Sequence, residues 1–68
     1  MQITSKHDAR NWFINSQYVE WEQRDDINED RLIDFVYRRG SHYDDDQRMV
    51  ADFLIAEGKA PEDFGLPG

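Results

Sequence analysis

Residues 44–58 read DDDQRMVADFLIAEG, and this stretch decides the fold of the chain. It opens with Asp44, a good N-cap residue, and two more acids follow in the first turn, where carboxylates meet free amide groups and the positive end of the helix dipole. Large apolar residues recur at helical spacing and define one buried stripe: Met49, Val50, Phe53 and Leu54. Gly58 suits the left-handed conformation that ends many helices. The stretch therefore predicts an amphipathic helix over residues 44–57.

The segment before it, residues 28–39, predicts a second helix. Asn28 is suited to capping its start, and a wide apolar stripe follows along the segment. Arg38 and Arg39 lie at the negative end of the helix dipole, and Gly40 is placed to end the helix. The turn between the two helices is short, so we expect them to pack as neighbours.

The N-terminal part predicts a first helix over residues 5–23, with one conflict. Two aromatic sets fall on different sides of such a helix: Trp12 with Phe13, and Tyr18 with Trp21. The helix either continues with both sides covered, or it breaks near Asn15-Ser16 and leaves a separate short element. Continuation is favoured because no Gly or Pro interrupts the stretch.

The C-terminal part predicts one short helical turn over residues 61–65. Pro61 is a good first helical residue, and we expect Phe64 and Leu66 to fold back on the core before Pro67-Gly68 ends the chain. Together these elements predict an all-α fold, a small three-helix bundle with a short C-terminal helical turn, in a single domain spanning residues 1–68. A chain of 68 residues without cysteine builds only a thin core, and no disulfide supports it.

The charge of the chain is negative and uneven. Its formal net charge is -7, and residues 41–68 hold seven acids against two bases, so this segment alone carries -5. Such a surface serves solubility, docks a basic protein, or imitates DNA. Part of the charge is expected to be neutralised internally by pairs at helical spacing: Glu20–Arg24, Asp34–Arg38 and Asp44–Arg48.

Catalysis, cofactors and metals are not expected. The chain has no cysteine, no glycine-rich phosphate loop, and too small a core to enclose a substrate, so we expect a protein that is not an enzyme. The acids at 44–46 lack the alternating oxygens and the glycine of a calcium loop, and His7-Asp8 has only His42 as a further histidine. The expected catalytic, cofactor and metal residues are therefore none.

The remaining signal concerns partners. We expect a non-catalytic acidic module that binds and modulates a larger, basic partner protein. Its apolar anchors would be the residues that the simple stripes leave unplaced, and nearby acids would steer the encounter: Tyr18, Trp21 and Ile55, with Asp44, Asp45, Asp46 and Asp52. On this hypothesis, Trp21→Ala abolishes binding without loss of helix.

Three alternatives stay open. The chain could be a DNA mimic that inhibits a nucleic-acid-binding protein, or a self-associating structural or regulatory subunit that forms a homodimer. A helix–turn–helix DNA-binding role ranks last, because the start of the second helix carries Asp44 to Asp46, which phosphates repel. We expect no direct binding to nucleic acid.

The chain has no apolar run near the roughly 18 residues of a membrane span and no signal-peptide pattern, so we expect a cytoplasmic protein without a membrane segment. Its composition is similar to that of short acidic proteins from phages and mobile elements, but no motif of a known family is present.

Overall fold

A computed structural model describes residues 2–66 of the chain. Within these residues the fold is all-α: α1 (Lys6–Asn15), α2 (Glu29–Arg39) and α3 (Asp46–Ala56) are joined and followed by 3₁₀ segments, and there is no strand. The 3₁₀ segments are Gln17–Gln23, Gly40–His42 and Pro61–Phe64. The prediction of a small helical bundle with a short C-terminal turn is confirmed. Pro67 and Gly68, predicted to end the chain after this turn, lie outside the described residues.

Of the two outcomes left open for the first helix, the break near Asn15-Ser16 is the one observed: α1 ends at Asn15, and the favoured continuation to residue 23 is wrong. Ser16 is extended (φ -90°, ψ 165°), and its hydroxyl donates to the Phe13 carbonyl at 2.8 Å. The same oxygen accepts a hydrogen bond from the Tyr18 N–H at 3.2 Å, so one serine caps both flanking elements. The break lets both aromatic sets turn inward: Phe13, Tyr18 and Trp21 are all buried.

The two later helices begin and end close to the predicted residues. Asn28 caps α2 by accepting a hydrogen bond from the Arg31 N–H, and Gly40 follows its last turn. Helix α3 begins at Asp46, and its N-cap is Asp45 instead of the predicted Asp44. Gly58 follows α3 with φ at +77°, the left-handed conformation predicted for it.

The core lies between the three helices, and residues near both ends of the described chain pack against it. Ile3 packs beside Gly40, and its backbone N–H and C=O both bond to the Ser41 hydroxyl, at 3.2 and 3.0 Å. At the other end Leu66 is buried and Phe64 packs on Trp21, so the C-terminal turn folds back as predicted. The fully buried side chains at the centre are Phe13, Leu32, Ile33, Met49, Leu54, Val36 and Val50.

Candidate functional site

The largest exposed apolar side chain on α3 is Ile55, with 61% of its surface accessible. Two other large apolar side chains of residues 2–66 are similarly exposed, Ile14 at 53% and Tyr37 at 44%. Single exposed apolar residues are common and carry no meaning alone. The surroundings of Ile55 set it apart, because shallow grooves lie on both sides of it.

One outward face of α3 carries Ile55. The buried residues of this helix share the opposite face: Met49, Val50, Phe53 and Leu54. At 100° per residue, the side chains pointing away from that stripe are Arg48, Ala51, Asp52 and Ile55, which we call the α3 face. Arg48 and Ile55 are exposed, and Ala51 and Asp52 are half-buried at its two edges.

The first groove lies between α2 and α3 and has a volume of about 810 Å³. Phe35 and Phe53 line it and contact each other edge to face, with ring centroids 5.6 Å apart. Two ion pairs lie along its walls, Arg31 with Glu57 at 2.8 Å and Arg38 with Asp34 at 3.0 Å. The groove therefore has aromatic lining and a rim whose charges are largely paired within the molecule.

The second groove lies between α3 and the C-terminal turn and has a volume of about 310 Å³. Its lining includes Ala51, Ile55 and Pro61, with Asp45, Gln47, Arg48 and Asp52 around them. Pro61 is held in place indirectly, because Phe64 of the same turn packs against Trp21 with ring centroids 5.4 Å apart. Ile55 lines both grooves and so forms the ridge between them.

Asp52 is held in a fixed orientation at the edge of the α3 face. The Tyr43 hydroxyl donates a 2.6 Å hydrogen bond to its Oδ2 atom. This bond raises the pKa of Tyr43 above its usual value, and burial and the charge of Asp52 act in the same direction. The bond to Tyr43 does not exhaust this carboxylate, because a carboxylate can accept several hydrogen bonds.

The three acids at the start of α3 do different things. The Asp45 carboxylate caps the helix by accepting from the Gln47 N–H at 3.0 Å, and Asp46 accepts from the Trp12 indole N–H at 3.0 Å. Asp44 is exposed and precedes the helix. Asp45 and Asp46 therefore have structural roles in addition to their charge.

Two of the predicted anchors are not at the surface. Tyr18 is 4% exposed and Trp21 is 9% exposed, because the break at Ser16 turns the 3₁₀ segment into the core. Their rings contact each other at 5.0 Å, and Tyr18 also stacks on Trp12 at 6.0 Å. Burial raises the pKa of the Tyr18 hydroxyl, and Asp46 and Asp45 add to this. The prediction that Tyr18 and Trp21 are exposed anchors is wrong, whereas Ile55 is exposed as predicted.

Few of the acids are neutralised by neighbouring cations. Three of the fifteen Asp and Glu residues form ion pairs with Arg within residues 2–66, and twelve do not. The predicted Asp34–Arg38 pair forms, but Arg24 pairs with Asp26 at 2.9 Å instead of with Glu20. The 3₁₀ geometry of residues 17–23 changes the spacing that an α-helical i, i+4 pair requires.

In the part of the chain that the structure describes, no group of three His, Cys, Asp or Glu side chains comes together to hold a metal ion. His7 instead lies 3.2 Å from the Asn11 side chain on α1. The described helices are also too short or too polar to cross a lipid bilayer.

Several residues of this site were missed by the sequence analysis, namely Phe35, Tyr43, Arg48, Ala51 and Pro61. Arg48, Ala51 and Ile55 follow the i, i+3, i+7 pattern of one helical face, so this part was readable from the spacing. The contributions of Phe35 and Pro61 depend on how α2 and the C-terminal turn pack against α3. Comparisons with protein-family models, with curated proteins and with solved structures found no match.

Proposed function

We propose that this chain is a non-catalytic protein-interaction module that binds a basic partner protein through the α3 face. The observation that carries the proposal is Ile55, an aliphatic side chain that is 61% exposed between two grooves. An exposed aliphatic ridge flanked by grooves offers a partner apolar area and shape complementarity at the same place.

Charge supports a basic partner. Asp52 belongs to the α3 face, Asp44 and Asp45 precede the helix, and none of the three belongs to the ion pairs formed within residues 2–66. With a net charge of -7, the molecule attracts cationic surfaces at long range, and this attraction accelerates encounter more than it tightens the final complex. Binding should therefore weaken as the salt concentration rises.

The test is a capture experiment from cell lysate with the tagged chain, washed at low and at high salt, with the retained proteins identified by mass spectrometry. Ile55→Asp is the site variant. Ile14→Asp is the matched control, because Ile14 is an isoleucine of similar exposure on α1. The proposal expects a stoichiometric partner that the wild type and Ile14→Asp retain and that Ile55→Asp loses.

The opposite pattern, with the partner lost in Ile14→Asp and kept in Ile55→Asp, would place the binding surface on α1 and refute the proposal. A partner that both variants retain would mean that neither apolar side chain contributes. Circular dichroism of each variant shows whether the helices remain.

DNA mimicry is the second candidate, favoured by the twelve acids that form no ion pair within residues 2–66. A mimic occupies the groove that a nucleic-acid-binding protein uses for phosphates, so duplex DNA must compete with it. Adding duplex DNA to the purified complex tests this directly. Displacement of the chain supports mimicry, and a complex that DNA leaves intact is a protein interaction of the ordinary kind.

A further inference from the structure

We infer that the α3 face also binds a second copy of this chain, with the two α3 helices antiparallel across a two-fold axis. The proposal uses the surface assigned above to a basic partner, but it rests on a different observation. Arg48 and Asp52 have opposite charges and lie one helical turn apart on the same face.

This spacing makes the face complementary to itself. When two copies of one helix lie antiparallel, Arg48 of each copy comes near Asp52 of the other, and the symmetry forms the pair twice. Arg48 takes part in none of the ion pairs within residues 2–66, so its guanidinium group is available. Asp52 is already oriented by Tyr43, which lowers the cost of ordering the carboxylate.

The apolar side chains fit the same arrangement. Ala51 lies between Arg48 and Ile55 along the helix, at one edge of the face, where its small side chain adds little bulk to the contact. In the antiparallel pair, Ile55 of one copy lies over the aliphatic part of Arg48 of the other. The contact therefore covers the exposed ridge and places the guanidinium group beside Asp52.

A parallel arrangement does not share this complementarity. It would bring Arg48 opposite Arg48 and Asp52 opposite Asp52, and like charges at such positions are destabilising. The exposed isoleucine of α1 offers no equivalent, because the residue one turn before Ile14 is Arg10 and the residue one turn before that is Lys6. Two copies of that face would bring cations together without acids.

We expect the dimer to be weak. Each copy contributes one face of a three-turn helix, which buries less than the roughly 1,200 Å² of a stable interface. The charge of -7 on each copy also opposes association, so the measurement needs enough salt, about 0.15 M, to screen this repulsion to roughly 8 Å. A partner that needs Ile55 and a second copy of the chain would exclude each other.

The test is sedimentation equilibrium over a dilution series with the wild type, Arg48→Asp, Asp52→Arg, and an equimolar mixture of the two variants. Each variant alone brings two like charges together at both symmetric positions, and we expect its dissociation constant to rise about tenfold or more.

In the mixture, the two introduced charges have opposite signs and meet at one position, and the native Arg48 and Asp52 meet at the other. We therefore expect a heterodimer close to the wild type in strength. Arg10→Asp, a charge reversal on α1, is the matched control and should leave the dimer unchanged.

Asp52→Arg also removes the hydrogen bond with Tyr43, so a second set of variants keeps Asp52 in place. Arg48→Ala and Ile55→Asp should each weaken the dimer without touching that bond, and circular dichroism should show the wild-type helix content. A wild type that stays monomeric at every concentration overturns the inference. So does a dimer that Arg48→Asp leaves as strong as the wild type, or a mixture that associates no better than its components. A monomeric wild type that still captures an Ile55-dependent partner overturns only this inference and leaves the proposed function standing.

Discussion

The indole N–H of Trp12 donates a 3.0 Å hydrogen bond to the Oδ2 atom of Asp46, thirty-four residues further along the chain. Trp12 lies in the second half of α1, and Asp46 is the first residue of α3. The Trp12 ring also stacks on Tyr18, with centroids 6.0 Å apart and the planes inclined by 28°. One side chain therefore connects α1, the 3₁₀ segment that follows it, and the start of α3.

Trp12→Phe tests this connection, because it keeps an aromatic ring and removes the N–H donor. We expect the free energy of unfolding to fall by about 1 kcal/mol, the usual net contribution of a hydrogen bond whose acceptor remains exposed to water. Urea denaturation followed by circular dichroism measures it. In a double-mutant cycle with Asp46→Ala, the two losses should overlap, because both variants break the same bond.

The matched control for that cycle is Asp44→Ala, an exposed acid two residues before Asp46. Its combination with Trp12→Phe should be additive. If the Trp12 and Asp46 losses were also additive, the hydrogen bond would not contribute to stability.

Trp21→Ala is predicted to destabilise the fold. Trp21 is buried and contacts the rings of Tyr18 and Phe64, and truncating a buried tryptophan costs about 3 to 5 kcal/mol. A domain of this length has a total stability of roughly 3 to 10 kcal/mol, so the variant should lose much of its margin. The measurements are the thermal midpoint and the urea midpoint.

Ile14→Ala is the control for Trp21→Ala, because Ile14 is exposed and its truncation should change stability by less than about 0.5 kcal/mol. A Trp21→Ala variant as stable as Ile14→Ala would contradict the packing described. It would return Trp21 to the role of a surface anchor that the sequence suggested.

Much of the later half of the fold was readable from the sequence. For α2, the cap Asn28, the apolar stripe and Gly40 all agree with one another, and the helix occupies Glu29–Arg39. For α3, three consecutive acids all suit an N-cap, and the chain uses Asp45 instead of Asp44. Local signals place such helices because each signal points to the same boundaries.

The break in α1 near Asn15-Ser16 was one of two outcomes that the sequence left open, and continuation was favoured because no Gly or Pro interrupts the stretch. The Ser16 hydroxyl serves two caps at once, and the gain becomes decisive only when both aromatic sets can be buried. The conflict between those sets was visible in the sequence, but its resolution depends on the space that α2, α3 and the C-terminal turn leave. The same packing decides that Tyr18 and Trp21 are buried while Ile55 is not.

Stability at low pH should depend on Asp8. Its carboxylate accepts hydrogen bonds from the Thr4 hydroxyl at 2.6 Å and the Thr4 N–H at 3.1 Å, and these lower its pKa below the usual 3.8. A carboxyl whose pKa is lower in the folded state stabilises the fold above the unfolded pKa. This contribution is lost as the pH falls from 3.8 through the folded pKa. The pKa itself is measured by NMR titration of the Asp8 carboxyl carbon.

Thr4→Val removes the hydroxyl donor, so the pKa of Asp8 should rise toward its usual value and the acid unfolding transition should move to higher pH. Thr4→Ser is the control, because it keeps the hydroxyl and should titrate like the wild type. Equal pKa values of Asp8 in Thr4→Val and Thr4→Ser would show that the side-chain bond does not set the shift.

The effect of Gly40→Ala on the free energy of unfolding should change sign when Ile3 is also replaced, because Ile3 lies against Gly40. Gly40 has helical dihedral angles, and alanine in such a position usually stabilises by about 1 kcal/mol. A Cβ atom there would lie 3.1 Å from Ile3 Cγ1 and 3.3 Å from Val36 Cγ1, tight contacts that require these side chains to shift by a few tenths of an ångström. Ile3 cannot easily retreat, because its backbone is bonded twice to Ser41. We therefore expect Gly40→Ala to destabilise the wild type.

In an Ile3→Ala background the closest clash is gone, so the same Gly40→Ala exchange should stabilise. Ile3→Ala alone should cost about 2 kcal/mol, the low end for a buried isoleucine, because Ile3 lies at the edge of the core. Gly58→Ala is the control: its φ of +77° penalises alanine by about 1 to 2 kcal/mol, and nothing lies within 4 Å of its Cβ position, so its effect should be the same in both backgrounds. Urea denaturation of the four-member cycle measures the coupling. Equal effects of Gly40→Ala with and without Ile3 would mean that the N-terminal residues do not pack on the turn between α2 and α3 in solution.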